Sequence, residues 1–248
     1  MGGGMSRVMP GIYVGGLTAA KSQIQLNTHQ ITHLCTVIHE GVHLDSGRKQ
    51  ILFRADDSPD ENLSRFFEDA VNFIHEARVS GGSVLIHCAC GVSRSVTITL
   101  AYLLVATDFS LVDLTKAIQG ARHCACPNYG FRKQLIEFEE SKKHLQLRER
   151  LFARFGPWPE DKREADSAEL KEHMATQEYY LENGVYPGEE SLEKAASGDP
   201  NQPPKKLNAA FFTVHTKNGS RDLAELMASR PAPPGATETV EAEKPNTT

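Results

Sequence analysis

Apolar residues in the first 155 positions form two kinds of segment in alternation: short runs and helically spaced sets. Ile12-Tyr13-Val14 and Ile51-Leu52-Phe53 are short runs, and Ile31 to Ile38 is a longer one rich in β-branched residues; each predicts a strand. Leu63, Phe66, Phe67, Ala70, Val71, Phe73, Ile74 and Ala77 then recur at helical spacing and stop before Gly81-Gly82, which predicts a helix. Ser83-Val84-Leu85-Ile86 is too brief for a helix and reads as a strand. Ser95 to Val105 is apolar on most faces, the pattern of a buried helix. Ser110 to Ala121 and Phe131 to Phe155 are two more helical patterns. Strands alternating with helices predict an α/β fold, a central, mostly parallel twisted sheet flanked by helices.

The pattern fades after Phe155. Gly156, Pro157 and Pro159 end a helix, and residues 156–186 read as a partly helical linker, with a polar helix around Leu170 and Tyr179. From Pro187 to Thr248 the chain holds eight of its 13 prolines but only two aromatic residues, Phe211 and Phe212. Such a stretch buries too little apolar surface to offset the entropy of ordering it, so a disordered tail is expected. Residues 1–10 are expected to be flexible, and residues 11–155 to form the compact domain.

Composition narrows the function. Lys and Arg number 27 against 32 Asp and Glu, a net charge of −5, which offers no basic face for nucleic acid. No apolar run reaches the ~18 residues of a membrane-spanning helix, and no signal peptide opens the sequence. Five cysteines are an odd number in a chain too long to depend on disulfides, which fits a reducing, intracellular setting with free thiols.

The informative stretch is Val84-Leu85-Ile86-His87-Cys88-Ala89-Cys90-Gly91-Val92-Ser93-Arg94-Ser95. A buried strand feeds a tight loop that opens a buried helix. Such a loop turns its N–H groups inward, and the positive end of the helix points at the same spot. This is an anion site built from the main chain of Ala89, Cys90, Gly91, Val92 and Ser93. A cysteine at its mouth ionises readily, because thiol pKa values fall to roughly 3.5–7.5 beside helix N-termini and cations. Arg94 closes the loop with a planar fork suited to two phosphoryl oxygens. Gly91 lets the backbone pass close to the anion. Ser95 offers a hydroxyl near the sulfur, and His87 orients the loop.

His87-Cys88, five residues, then Arg94-Ser95 resembles the signature of the cysteine-dependent protein phosphatases. The resemblance implies that Cys88 attacks phosphorus to give a thiophosphate intermediate, that Arg94 binds the equatorial oxygens, and that no metal or other cofactor takes part. A leaving alkoxide needs a proton. In Arg54-Ala55-Asp56-Asp57-Ser58-Pro59-Asp60-Glu61-Asn62-Leu63 the match to dual-specificity phosphatases selects Asp57 as the acid, with Asp56 the alternative. Cys126-Pro127-Asn128-Tyr129-Gly130-Phe131 is similar to a further family motif, in which Asn128 braces the phosphate loop.

The neutral loop residues are unlike the lysine-bearing loops of phosphoinositide phosphatases. No deepening recognition insertion separates Gly11 from Cys88, so the dual-specificity group fits best, in its atypical form without a kinase-docking domain. Met1-Gly2-Gly3-Gly4-Met5-Ser6 matches the myristoylation pattern, and with Met9-Pro10-Gly11-Ile12-Tyr13-Val14-Gly15 the start resembles the myristoylated, JNK-stimulatory atypical phosphatases. Expected partners are phosphorylated proteins and, through an acyl chain on Gly2, the inner membrane leaflet. A single such chain binds weakly, so a monomer shared between cytosol and the cytoplasmic face of the plasma membrane is expected.

His-Cys-Ala-Cys occurs twice, at His87 to Cys90 and at His123 to Cys126. The flanks differ, Cys-x-Cys is not zinc-finger spacing, and a metal on Cys88 would block the anion loop, so no metal site is expected. Cys90 or Cys124 is a candidate to trap oxidised Cys88 as a disulfide, against ordinary packing of both. Cys35 belongs to the core. The rival function is a non-catalytic phosphoprotein-binding module; the presence of nucleophile, arginine and acid together favours catalysis.

Overall fold

The computed structural model describes residues 4–39, 47–187, 213–216 and 219–222. The chain divides into two units, Met1–Asn208 and Ala209–Thr248. The first opens with strands β1 (Ser6–Met9) and β2 (Ile12–Gly15) and two short helices, α1 (Leu17–Lys21) and α2 (Gln23–Thr28). Strands β3 (Ile31–Val37) and β4 (Lys49–Phe53) follow, then a 3-10 turn (Ser64–Phe66) and α3 (Phe67–Val79). Strand β5 (Ser83–His87) leads into α4 (Arg94–Ala106), and then come α5 (Leu111–Ala121), α6 (Tyr129–Glu140), α7 (Lys143–Phe155) and α8 (Glu160–Asn183).

The five strands form one sheet in the order β1-β2-β5-β3-β4. β5 pairs in parallel with β2 and β3, β3 pairs in parallel with β4, and only β1 runs antiparallel, to β2. β5 is therefore central, and Val84, Leu85 and Ile86 are fully buried because both faces of the sheet are covered. In register, the last residue of β5, His87, lies opposite Gly15 of β2 and Thr36 of β3. The loop after β5 thus leaves from the middle of the carboxyl edge, where open α/β sheets place their ligands. Helix α4 packs on α3, α5, α6 and α7 as well as on β5, which is why its residues are apolar on nearly every face. At the sheet's two edges, Arg7 of β1 pairs with Glu169 at 2.8 Å, and Lys49 of β4 pairs with Glu76.

The strands and long helices lie where the apolar pattern places them, with three corrections. Residues 6–9 of the expected flexible start form β1, whose Val8 and Met9 are fully buried. The single helical pattern from Phe131 to Phe155 is two helices, broken at Lys142, whose φ of +60° lies in the left-handed region. Of the stretch from Gly188 onward, the described residues are Thr213–Thr216 (β6) and Gly219–Asp222 (β7), which pair as a short antiparallel hairpin; the rest of the expected tail lies outside the described residues. The β-branched Thr213 and Val214 are its local signal.

The third correction is the largest. The polar helix expected within the partly helical linker is present, but it runs for 24 residues and is docked on α5 rather than solvated, and Trp158, Leu170, Val185 and Tyr186 are buried with it. Its docking face is largely polar, so no apolar stripe announces it. Asp166 is buried against Arg78 at 2.6 Å and accepts from Trp158 Nε1 at 3.1 Å. Arg78 also lies over the Trp158 ring at 4.4 Å and donates to Pro10 O at 3.1 Å and to the Tyr102 hydroxyl at 3.2 Å. Removing one partner of such a pair strands a buried charge, so Asp166→Ala is expected to cost about 3–5 kcal/mol in urea unfolding. Leu181→Ala, on the exposed side of the same helix, should stay within ~0.5 kcal/mol.

Candidate active site

Six residues, Cys88 to Ser93, join the end of β5 to the start of α4. Four consecutive carbonyls in this loop bond to groups outside it. Ala89 O accepts from Leu17 N at 2.9 Å and Val92 O from Cys126 N at 2.8 Å. Cys90 O accepts from Arg122 Nη2 at 3.2 Å and Gly91 O from Arg122 Nε at 2.6 Å. A peptide unit is planar, so a carbonyl held outward turns the following N–H inward. Gly91 N accordingly donates to Cys88 Sγ at 3.2 Å. Gly91 has φ +71°, and a Cβ there would lie 2.4 Å from the carbonyl carbon of Gly15 and 2.7 Å from Arg122 Nη2. Only glycine fits.

The sulfur of Cys88 is buried at the floor, 3.3 Å from Ser95 Oγ. Burial pushes its pKa up. Hydrogen bonds from the Ser95 hydroxyl and from the amides of Ser95, Gly91 and Val92 outweigh this, and the thiol ends below its ordinary value. His87 is buried behind it with Nε2 2.8 Å from Thr36 Oγ1. Burial drives this imidazole down to about 4, against a hydrogen bond with the Cys88 backbone, so at neutral pH it is uncharged and ties β5 to β3. Arg94 is buried; its Nη1 donates to Ala55 O at 3.1 Å, while Nε, 3.6 Å from Asp57 Oδ2, has no hydrogen-bond partner among the described residues.

The segment after β4 closes the site from the other side. Asp57 Oδ1 accepts from Ser93 Oγ at 2.6 Å and from Asn128 Nδ2 at 2.9 Å. Asn128 also donates its N–H to Ser93 Oγ at 3.1 Å, and its own oxygen caps α6 by accepting from Phe131 N at 3.0 Å. Helix α6 holds the segment at further points. Gln134 Oε1 accepts from the amides of Leu63 and Ser64, both at 2.9 Å, and Gln134 Nε2 donates to Glu61 O at 2.7 Å. A Cβ on residue 130 would meet Pro59 O at 1.9 Å, so Gly130 is what lets the two backbones touch. Asp56 turns away, to an exposed ion pair with His39 at 3.0 Å.

A sulfur with a lowered pKa, amides directed at it, a buried guanidinium and a facing carboxyl group are what transfer of a phosphoryl group to sulfur requires. Residues 12–141 match the family model for the dual specificity phosphatase catalytic domain. The chain belongs to the dual-specificity phosphatases. Human dual specificity protein phosphatase 22 is 41% identical over 159 residues, 64% of this chain and 86% of the relative. A crystal structure of DUSP15 matches with a TM-score of 0.61 at 36% identity, over 63% of this chain and 100% of that one. The human tyrosine phosphatase-like serine/threonine/tyrosine-interacting protein matches with a TM-score of 0.53 at 28% identity, over 56% of this chain and 97% of that one.

Within this phosphatase site the structure brings together Cys88, Gly91, Val92, Ser93, Arg94, Ser95, His87, Asp57 and Asn128. Ala89 and Cys90 form the exposed rim of the loop, and Gly2 lies outside the described residues. Ser93, expected to contribute its main chain to the loop, has its side chain bonded to Asp57 and Asn128. All five cysteines are free thiols, with Cys90 and Cys124 exposed. Among the described residues, no group of three or more His, Cys, Asp or Glu is arranged to hold a metal. The sequence motifs leave out Arg122, Thr36, Ala55 and Gln134. A lone arginine at a helix end and a carbonyl of alanine carry no motif.

Ser95→Ala removes a hydrogen bond that favours the thiolate, so the Cys88 pKa must rise. The pH midpoint for alkylation of Cys88 by iodoacetamide, read on its tryptic peptide, is expected at higher pH than in the parent chain.

Proposed function

We infer that this phosphatase hydrolyses phosphotyrosine and phosphoserine or phosphothreonine in proteins through a cysteinyl-phosphate intermediate. The observation that carries the reading is the Gly91 amide on Cys88 Sγ at 3.2 Å, inside a loop that runs into Arg94, the first residue of α4. The Cys88 thiolate attacks phosphorus as the P–O bond to the substrate side chain breaks. Loop amides and Arg94 hold the three non-bridging oxygens, whose charge they match. The departing oxygen takes the proton of Asp57. A water, its proton drawn by the carboxylate of Asp57, then cleaves the S–P bond. The Ser95 hydroxyl stabilises the sulfur as it leaves, and inorganic phosphate is released.

Asp57 is favoured as the acid over Asp56 because it faces Arg94 and Ser93, whereas Asp56 pairs outward with His39. A second reading is capture of phosphoproteins without turnover, and the likeness to a tyrosine phosphatase-like, serine/threonine/tyrosine-interacting protein is what favours weighing it. Against it stand Cys88, Arg94 and Asp57, all present in one site. We propose further that removal of Met1 exposes Gly2 for myristoylation, and that the acyl chain divides the protein between cytosol and the inner face of the plasma membrane. The support for this is the Met1-to-Ser6 pattern.

With para-nitrophenyl phosphate and with phosphopeptides of each kind, the full chain is expected to turn over steadily. Cys88→Ser and Arg94→Met should abolish turnover. Asp57→Ala should slow the phosphopeptide reaction about 10²- to 10⁴-fold while the peptide still binds. Loss of rate in Asp56→Ala with a normal Asp57→Ala would reverse the assignment, and stoichiometric binding with no phosphate released would establish the binding module. For the anchor, Gly2→Ala should move the membrane-associated fraction into the soluble one in cell fractionation; an unchanged distribution would reject it.

A further inference from the structure

We propose that Arg122 is a positioning residue for the cysteine chemistry, one that ties the amino-terminal strand to the phosphate loop and so keeps the loop's amides turned toward the reacting phosphoryl group. The proposal deepens the reading of Cys88 as nucleophile and rests on it.

A guanidinium presents five N–H donors in a rigid plane, which lets one side chain fix several acceptors in one orientation. Arg122 is buried, and its plane spans two parts of the chain far apart in sequence. On one side are the loop carbonyls, Gly91 O at 2.6 Å from Nε and Cys90 O at 3.2 Å from Nη2. On the other are the amino-terminal acceptors, Gly4 O at 3.3 Å and Ser6 Oγ at 3.4 Å, both from Nη1. The two loop carbonyls are those whose peptide planes carry the amides of Gly91 and Val92. Both amides act on the Cys88 sulfur. If either plane turned over, the negative end of a carbonyl would replace the positive end of an amide beside a sulfur anion and a phosphoryl group.

The arginine is itself held from several directions. Its amide ends α5 by donating to Ile118 O at 2.8 Å, and its carbonyl accepts from Ala125 N at 2.8 Å. The next residue, His123, stacks on Tyr186, with ring centroids 3.2 Å apart. Four residues on, Cys126 N returns to Val92 O in the loop. On the amino-terminal side, Met5 N donates to Gln25 Oε1 at 3.3 Å, and Met5 packs against the buried cluster of Tyr13, Leu26 and Leu85. The strand thus offers Arg122 fixed acceptors and keeps its fork from rotating away from the loop.

Lysine keeps the charge but cannot hold two carbonyls in a plane, so Arg122→Lys is the informative variant. Expected are a kcat lower by about tenfold or more, a KM within about threefold, and a Cys88 alkylation midpoint moved to higher pH. Ser6→Ala should shift both kcat and the midpoint in the same direction by less. Millimolar guanidinium chloride should restore part of the activity of Arg122→Ala, or of Arg122→Lys if the alanine variant does not fold. An alkylation midpoint equal to the parent's in Arg122→Lys would overturn the proposal, even if thermal unfolding showed a less stable protein, because the residue would then be structural glue alone. A parent chain whose Cys88 resisted alkylation at neutral pH would instead remove the nucleophile reading beneath it.

Discussion

Everything in this phosphatase depends on the direction in which a few consecutive peptide planes face. An amide is a weak donor taken singly, but several aimed at one point in a water-poor site stabilise an anion strongly, because their orientation is fixed before the charge arrives. Fixing it has a cost: the carbonyls on the same planes must find partners elsewhere, and a buried carbonyl left without one costs about 1–3 kcal/mol. Here those partners are the first amide of α1, the amide of Cys126 and the guanidinium of Arg122. Segments separated by more than a hundred residues converge on the outer side of one loop. The central position of β5, with β2 and β3 in register beside it, is what brings them within reach.

The acidic side of the site obeys a different logic. The segment from Asp57 to Ser64 has no strand or long helix of its own to hold it, and α6 supplies the order instead. Asn128 caps that helix and grips Asp57 with the same amide group, Gly130 admits the backbone of Pro59, and Gln134 holds the segment's far end. The cap therefore couples a local need, an unsatisfied donor at a helix start, to the placement of a carboxyl group across the cleft. Ser93 closes the circuit by joining this carboxyl to the phosphate loop.

The parts of the molecule legible in the sequence are those with a short period or a fixed spacing. Val84-Leu85-Ile86 reads as a buried strand, and Cys88 to Ser93 as a loop between strand and helix; both lie where the pattern puts them. Asp57 was singled out by family spacing, and its bonds to Ser93 and Asn128 supply a geometric reason that spacing cannot. What the pattern missed is held by contacts between distant residues. The polar helix α8 was legible but its docking was not, because its buried residues are Asp166, Leu170 and Gln177 rather than a stripe of leucines. Arg122 was invisible for the same reason, since its four acceptors are spread from Gly4 to Gly91. The break at Lys142 arises from one left-handed residue that no glycine marked.

The paired charges at the borders of the sheet have a consequence beyond local stability. A strand with one open side is a template on which another chain can add, and long charged side chains spoil that template by bringing solvated groups to any approaching backbone. Arg7 occupies one open side and Lys49 the other, each held in place by a carboxylate from a neighbouring helix. Exchanging them for apolar residues would leave the catalytic loop untouched and still endanger the protein, by inviting copies to stack strand against strand into insoluble assemblies.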